Sequence, residues 1–252
     1  IYGNPPSLHT YAQQAKHGLD RARDQVAAAL KTAPGQIIFT GSGTEADNLA
    51  IKGTAELKKA KGKHIITSAV EHHAVLHSVE KLEKDGFEAT YLPVDEHGLV
   101  SPDALRRAIR EDTILVTIMF ANNEVGTIMP IAELGAICRE RGVLFHTDAV
   151  QAVGSVDIDV SAMNIDMLSL SAHKLHGPKG VGALYVKKGL RLPPLIHGGA
   201  QENKRRAGTE NVPGIVGLGK AIELATADIP GRTQAIRQRR DRLMQGIAAA
   251  IP

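Results

Sequence analysis

Short runs rich in β-branched residues alternate with helical patterns along most of this chain, and that alternation restricts its fold more than any other feature of the sequence. Seven runs have the composition of buried strands: residues 36–40, 64–68, 87–94, 113–120, 143–147, 166–170 and 181–187. Helical patterns lie between them, near residues 45–60, 72–85, 102–110 and 131–141. Such alternation is typical of a largely parallel sheet covered by helices. The sequence therefore predicts an α/β fold with a seven-stranded, mostly parallel sheet sandwiched by helices.

Helical patterns also flank the predicted sheet. One covers residues 8–31, before the first strand, and two follow the last strand, near residues 212–227 and 231–249. No internal repeat and no linker rich in Pro, Gly or Ser divides the chain, so we expect one large domain over residues 1–228. The arginines of the last helix are predicted to form a solvated face rather than a site for an acidic partner; they are Arg237, Arg239, Arg240 and Arg242.

Composition excludes several classes of function. The 252 residues are 43% hydrophobic and 23% charged, with a net charge of only +3, which predicts a soluble globular chain. No run of about 18 apolar residues and no leader sequence is present, so we expect neither a membrane span nor secretion. A single cysteine fits a reducing compartment and predicts a cytoplasmic location. Aromatic residues are too scarce, at 3%, for stacking on nucleic acid.

The loop after the first predicted strand has the composition of an anion-binding turn. It reads Gly41-Ser42-Gly43-Thr44-Glu45-Ala46 and leads into a helical pattern. Glycines let the backbone approach a ligand closely, and the first N–H groups of a helix face an anion. The loop therefore predicts a phosphate site, with a plain glycine-rich turn as the alternative. It also matches the dinucleotide pattern G-x-G-x-x-A, but Ser68, Ala69 and Val70 follow the next strand where an acidic residue is needed, before Glu71.

Histidines follow the second predicted strand. His73 and His77 have the i, i+4 spacing of a zinc pair, but no general-base Glu lies between them and no third ligand is evident. We therefore expect no metal site. A histidine at the start of the helix is instead placed to stack on a flat ring, and His72 or His73 occupies that position.

Two further strand ends carry the groups that pyridoxal phosphate requires. This cofactor needs a lysine amine for a Schiff base and a carboxylate that keeps its ring nitrogen protonated. Asp148 follows the fifth predicted strand and Lys174 the sixth. Because ligands of parallel sheets bind beyond the carboxyl ends of the strands, both should lie at one edge. Together with the phosphate turn and the ring-stacking histidine, they predict a pyridoxal 5'-phosphate site.

These segments resemble the cysteine desulfurases, within the class V aminotransferase group of fold type I pyridoxal-phosphate enzymes. The similar segments, in chain order, are Tyr2-Gly3-Asn4-Pro5, Ser42 to Asn48, Glu71 to Leu76, Asn122 to Gly126, Asp148-Ala149-Val150-Gln151, Ser171-Ala172-His173-Lys174, Gly177-Pro178-Lys179-Gly180, His197-Gly198-Gly199 and Arg206-Ala207-Gly208-Thr209. The resemblance implies the large domain of a fold type I enzyme. It also implies that residues 229–252 form a helix that leads toward a small C-terminal domain outside this chain.

The resemblance implies a role for each candidate residue. Lys174 is the expected Schiff-base lysine, Asp148 the partner of the ring nitrogen, and His72 the stacking residue that also moves protons. Cofactor contacts are further expected from Gly43, Thr44, Asn123, Gln151, Ser171 and His173, and from Thr209 as a phosphate ligand donated to a neighbouring subunit. That last role implies a homodimer, and the reaction implies L-cysteine as substrate and a sulfur-acceptor or iron–sulfur scaffold protein as partner.

The resemblance also implies a persulfide-forming cysteine downstream of residue 209, where this chain has none. Cys138 lies in step with Ile131 and Leu134 on a predicted helix, so we expect it to be a core thiol. The chain is therefore expected to hold the cofactor half of a cysteine desulfurase. Three alternatives remain: a selenocysteine lyase or other class V enzyme, a non-catalytic cofactor-binding domain, and a dinucleotide-binding oxidoreductase.

Overall fold

A computed structural model describes residues 3–251, and Tyr2 of the first similar segment lies outside that range. Seven strands form one sheet: β1 (Ile37–Thr40), β2 (His64–Ser68), β3 (Glu88–Leu92), β4 (Thr113–Thr117), β5 (Leu144–Asp148), β6 (Met167–Ser171) and β7 (Gly182–Val186). Their order across the sheet is β1-β7-β6-β5-β4-β2-β3. Only β7 runs antiparallel to its neighbours, β1 and β6. The predicted seven-stranded, mostly parallel sheet is confirmed.

Helices precede, connect and follow these strands. They are α1 (Thr10–Ala29), α2 (Gly43–Lys58), α3 (His73–Lys84), α4 (Pro102–Ala108), α5 (Ile131–Arg141), α6 (Gln201–Lys204), α7 (Val212–Thr226) and α8 (Ile229–Ala250), with single 3₁₀ turns at Pro34–Gln36 and Ala172–Leu175. The helices predicted from the sequence are confirmed, and α5 has the predicted bounds. The short α6 was not predicted, and because its backbone is left-handed at Glu202, Asn203 and Lys204 it is a turn rather than a regular helix.

The sheet lies between two helical layers. Apolar side chains of α1, α4, α5 and α7 form one core with the sheet, and those of α2 and α3 form a second core on the opposite face. Cys138 is fully buried in the first core, and burial raises the pKa of its thiol, which confirms the predicted core thiol. Helix α8 contributes no buried residue, and its arginines are solvated as predicted. No helix within residues 3–251 is both long and apolar enough to cross a membrane.

The antiparallel strand β7 determines how closely the first loop approaches the sheet. A Cβ atom added at Gly182 would lie 2.6 Å from the carbonyl carbon of Ser42 and 2.7 Å from the carbonyl oxygen of Leu170. Only glycine allows this approach, which seats the turn before α2 against the end of β6. The loop after β1 and the end of β6 therefore meet because β7 lies between those two strands. The alternation of strands and helices in the sequence does not predict this contact.

Candidate active site

One cavity lies beyond the carboxyl ends of the parallel strands. Its volume, about 250 Å³, is slightly below the ~300–1,000 Å³ that is usual for small-molecule sites. It brings together nine of the ten predicted site residues: Gly43, Thr44, His72, Asn123, Asp148, Gln151, Ser171, His173 and Lys174. They come from five loops that are far apart in the sequence. The expectation that strand-end residues meet at one edge is confirmed.

Hydrogen-bond donors of two loops line one end of the cavity. Ser42 caps α2 by accepting the N–H of Glu45 at 3.1 Å, and this directs the start of the helix toward the cavity. The N–H groups of Gly43 and Thr44 belong to the first turn, where no helical partner exists. The hydroxyl of Ser171 bonds to Nδ1 of His173 at 2.8 Å across the same end. A Cβ at Gly43 would lie 2.7 Å from the Val150 side chain and 3.3 Å from Cβ of Ser171, so glycine allows the start of α2 to pack closely against both residues.

His72 borders the cavity as the N-cap of α3. Its Nδ1 accepts the N–H of Ala74 at 3.1 Å. An imidazole that accepts through Nδ1 carries its proton on Nε2 when neutral, so the cap selects one tautomer. The next histidine of the segment, His73, stacks on His77 with ring centroids 4.9 Å apart. His72 is therefore the histidine that lines the cavity, and His73 pairs along the helix instead.

Asp148 ends β5 and is 6% exposed. Its Oδ1 accepts the N–H of Val150 at 2.9 Å. Burial raises the pKa of the carboxyl, against the lowering effects of the Val150 N–H and of a positive charge on His72. No lysine or arginine pairs with it within residues 3–251. A buried carboxylate without a cation is suited to a positively charged ligand, whose charge would return its pKa toward the ordinary range.

Lys174 lies on the 3₁₀ turn directly after β6, as its position in the sequence predicts. It lines the cavity but is also exposed to solvent. The turn ends at His176, whose backbone is left-handed with φ of 61°. Asn123 and Gln151 complete the wall from the loops after β4 and β5. The neighbouring Asn122 faces inward and braces its own loop, since its Oδ1 accepts the N–H groups of Glu124 and Val125 at 2.9 Å.

Thr209 is the one predicted residue outside this cavity. It is exposed and lines a separate cleft with Thr40 and Arg206. Arg206 donates two hydrogen bonds to the Glu45 carboxylate, at 2.8 and 3.2 Å. These bonds fix the segment before Thr209 against the start of α2. Its position away from the cavity of its own chain agrees with a role toward another subunit, and that role stays a prediction.

Three buried polar residues near the cavity were not predicted. Asp47 lines the cavity from α2 and is fully buried. Glu71 is buried after β2, and His146 is buried on β5. Burial raises the pKa of Glu71 to about 8 and lowers that of His146 to about 3. The signal for His146 was its position two residues before Asp148, which puts both side chains on one face of β5; Asp47 resembled an ordinary helix residue.

The environment of Glu71 also counts against the dinucleotide alternative. That alternative needs an acidic residue after β2 whose carboxylate faces a ribose. Oε1 of Glu71 instead accepts the Ser68 hydroxyl at 2.5 Å and the N–H of Met119 at 2.9 Å.

Among the described residues, no group of three or more His, Cys, Asp or Glu side chains is arranged to hold a metal ion.

Comparison with known proteins gives a consistent result. Residues 1–251 match the family Aminotransferase class-V. The chain is 60% identical to "Cysteine desulfurase IscS" of Methanosarcina thermophila, covering 98% of this chain and 61% of the relative. It is 56% identical to the protein of the same name from Clostridium botulinum strain Hall, covering 100% of this chain and 63% of the relative.

Solved structures agree with these sequence relatives. A structure described as a "NifS-like protein" superposes with a TM-score of 0.96 at 42% identity, covering 98% of this chain and 68% of the other. DndA from Streptomyces lividans superposes with a TM-score of 0.91 at 39% identity, covering 98% and 71%. The chain thus spans a little over 60% of the length of the two curated relatives.

Proposed function

The chain belongs to the class V aminotransferase family, and we propose that it is the cofactor-binding part of a cysteine desulfurase. The observation that carries the proposal is that one cavity is lined by Asp148, at the end of β5, and Lys174, on the 3₁₀ turn after β6, together with the first turn of α2. The names of the sequence relatives support the desulfurase assignment over a selenocysteine lyase.

The groups around the cavity fit pyridoxal 5'-phosphate, the cofactor of this family. The start of α2 and the Ser171–His173 pair offer N–H and hydroxyl groups to a phosphate. Asp148 offers a buried carboxylate without a cation to the ring nitrogen. Gly43 lets the start of α2 pack closely against Val150 and Ser171 beside those groups. Lys174 offers an amine, and His72 a ring at the rim.

When bound, the cofactor supplies a cationic ring that withdraws electrons from the α-carbon of an amino acid substrate. The residues of this chain prepare that site. Asp148 would hold the ring nitrogen in its protonated form, because an adjacent carboxylate favours the charged state. Gln151 would donate to the phenolic oxygen of the bound cofactor, and Asn123 would contact cofactor or substrate. Lys174 would accept and return a proton near the α-carbon, work that is typically worth ~10²–10⁴ in rate.

His72 has a fixed geometry for its part in this chemistry. Because Nδ1 is occupied by the Ala74 N–H, its ring keeps one orientation and presents Nε2. It would stack on the ring of the bound cofactor and would exchange protons through that second nitrogen. Together with Lys174 it provides two groups that move protons at one cavity.

The reaction of the whole protein converts L-cysteine to L-alanine and transfers the sulfur to an enzyme cysteine as a persulfide. Cys138 does not serve as that cysteine, because it is buried in the core and burial raises its pKa. We therefore place the persulfide cysteine outside residues 1–252. We assign residues 1–228 to the large cofactor-binding domain and residues 229–252 to a helix that links it to a small C-terminal domain.

The partners and location follow from the same proposal. The exposed Thr209, held near α2 by the Arg206–Glu45 pair, is assigned to the phosphate site of a second subunit in a homodimer. The persulfide passes to a sulfur-acceptor or iron–sulfur scaffold protein in the cytoplasm. Neither nucleic acid nor a membrane takes part.

The first test is the visible absorption of the chain after purification with pyridoxal phosphate. We expect the wild-type chain to keep a cofactor band after dialysis and Lys174→Ala to lose it. Lys179→Ala, which changes a nearby lysine outside the cavity, is the matched control and should keep the band. An unchanged band in Lys174→Ala would refute the assignment of the lysine.

A second test separates an enzyme from a non-catalytic binding domain. The chain alone, loaded with cofactor and given L-cysteine, should exchange the α-proton with solvent deuterium but release no sulfide. Sulfide release should begin when the downstream region of the protein is added to the chain. Sulfide release by residues 1–252 alone would show that the nucleophile lies within them.

A further inference from the structure

Asp47 is a buried residue of the cavity lining that has no role in the mechanism proposed above. We propose that Asp47 is a positioning residue held as the neutral carboxylic acid, so that Asp148 alone carries the negative charge that faces a cationic ring nitrogen. The inference rests on the proposed function and deepens it at the same site.

Asp47 lies one turn after the start of α2 and lines the same cavity as Asp148. It is 1% exposed, and its Oδ1 has no hydrogen-bond partner. The nearest basic atom is Nε2 of His146, at 3.7 Å, too long for a hydrogen bond. No lysine or arginine within residues 3–251 pairs with Asp47 or Asp148. An ionised carboxylate in such a place lacks both solvent and counterion, which disfavours its charge.

His146 does not supply the missing positive charge. Its Nδ1 bonds to the Thr117 hydroxyl at 2.8 Å, and its Nε2 bonds to the Ser169 hydroxyl at 3.0 Å. A neutral imidazole has one donor and one acceptor, and two hydroxyls satisfy both. Complete burial lowers the pKa of His146 to about 3. The ring is therefore neutral, and its contact with Asp47 is not an ion pair.

The two carboxyl groups also compete for one charge. Burial raises the pKa of Asp47, the negative charge of Asp148 raises it further, and a bond from Ser169 opposes the shift. Asp148, Ser169 and Glu71 act on Asp47 through charge or a hydrogen bond, and His146 lies 3.7 Å away; His72, His173 and Lys174 line the same cavity. The charge of one buried carboxyl group disfavours ionisation of the other.

The local contacts decide which carboxyl keeps the proton. Oδ1 of Asp148 accepts the N–H of Val150, which favours its charged form. Oδ1 of Asp47 accepts nothing, and burial outweighs the bond from Ser169 to its carboxyl group. Protonation therefore falls on Asp47. A charge there would raise the pKa of Asp148 and weaken it as the anion that keeps a ring nitrogen protonated.

Infrared difference spectroscopy on the cofactor-free chain at pH 7 tests this assignment directly. The spectrum of wild type minus Asp47→Asn should contain the carbonyl band of a protonated carboxylic acid. The control Glu71→Gln removes the other buried acid, so the band assigned to Asp47 must persist in that background. Carboxylate bands in place of the acid band would overturn the proposal, as would an acid band that disappears only in Asp148→Asn.

Thermal unfolding gives an independent readout that a purely structural role would not produce. A carboxyl whose pKa is raised in the folded state makes the protein less stable as pH rises above the ordinary pKa. The Tm of Asp47→Asn minus that of wild type should therefore grow by about 2–4 °C or more from pH 4 to pH 8. A constant or shrinking difference would contradict the proposal.

Both measurements use the chain without cofactor, so they separate the two levels of the argument. A chain that shows the Asp47 acid band but takes up no pyridoxal phosphate refutes the proposed function and leaves the protonation state standing. A chain that binds the cofactor through Lys174 while Asp47 is ionised refutes this inference alone.

Discussion

Buried carboxylates occur in two regions of this molecule with opposite surroundings. Beside the edge strand β1, Glu202 accepts two bonds from Arg23 at 2.7 and 2.8 Å and one from the N–H of Phe39 at 3.0 Å. Below the cavity, Asp47, Glu71 and Asp148 have no lysine or arginine partner among the described residues. A paired buried carboxylate holds the fold, whereas an unpaired one is kept for a ligand or as a neutral acid.

The two regions also differ in backbone geometry. Glu202, Asn203 and Lys204 all have positive φ, at 47°, 57° and 66°, although none is glycine. Such conformations persist only where the surroundings enforce them. The three bonds to Glu202 provide that constraint. One of them covers the Phe39 N–H of β1, and Arg23 also donates to the Ile37 carbonyl at 2.8 Å. In the cavity, Asp148 and Glu71 each accept one backbone N–H but have no lysine or arginine partner within residues 3–251.

The largest effect is expected where the paired carboxylate is removed. Glu202→Ala should lower the free energy of unfolding by about 3–5 kcal/mol, because it leaves Arg23, whose side chain is only 15% exposed, without its carboxylate partner. Urea unfolding measures the loss. Glu202→Gln, which keeps an acceptor for Phe39, should lose less. A loss below about 1 kcal/mol for Glu202→Ala would show that the pair does not hold this edge.

The contribution of the unpaired cavity carboxyls to the free energy of unfolding should instead depend on pH. Burial raises the pKa of Glu71 from 4.5 to about 8, so the folded state holds a proton that the unfolded state releases across that window. Its contribution to stability is present below pH 4.5 and is lost as pH rises toward 8. Relative to wild type, Glu71→Gln should gain roughly 3–5 kcal/mol between those limits. Unfolding of both proteins at several pH values measures this, and parallel curves would refute it.

Asp148→Asn should affect the ligand more than the fold. A bond from a charged donor is typically worth ~1.5–3 kcal/mol, so the affinity for pyridoxal phosphate should fall about 10–100-fold. Because burial already disfavours the charge of Asp148, the Tm of the cofactor-free variant should not fall. Cofactor titration and thermal unfolding measure the two quantities. Reduced stability with unchanged affinity would place Asp148 with Glu202 as a structural carboxylate.

The smallest effect is expected at an exposed pair. Lys81 bonds to Asp85 on α3, with both side chains about half exposed. Lys81→Ala should change the free energy of unfolding by no more than ~1 kcal/mol. Urea unfolding under the conditions used for Glu202→Ala gives the baseline for the comparison. A loss as large as that of Glu202→Ala would show that burial is not what separates the two classes.

Much of the cavity could be predicted from the sequence, because the residues that follow parallel strands all lie at the same edge of the sheet. This explains why Asp148, Lys174 and His72, each placed at the end of a strand or within a few residues after it, meet as expected. The family resemblance added the finer roles of Gln151 and Asn123, which position alone did not indicate.

Other features depend on contacts between distant segments and had no local signal. The position of Asp47 on α2 does not reveal that its side chain faces the cavity floor, because that requires knowing how α2 crosses β5 and β6. The left-handed turn at Glu202 is stabilised by Arg23, which lies 179 positions earlier in the chain. The sequence likewise predicts β7 as a strand but does not indicate that it runs antiparallel to β1 and β6.

The most direct test of the account is to locate the lysine that binds the cofactor. The chain is loaded with pyridoxal phosphate, reduced with borohydride to make the linkage permanent, digested, and analysed by peptide mass spectrometry. The account predicts that the modification lies on Lys174 and is absent from the other lysines, including Lys179. Modification of a different lysine, or equal labelling of many exposed lysines, would contradict it.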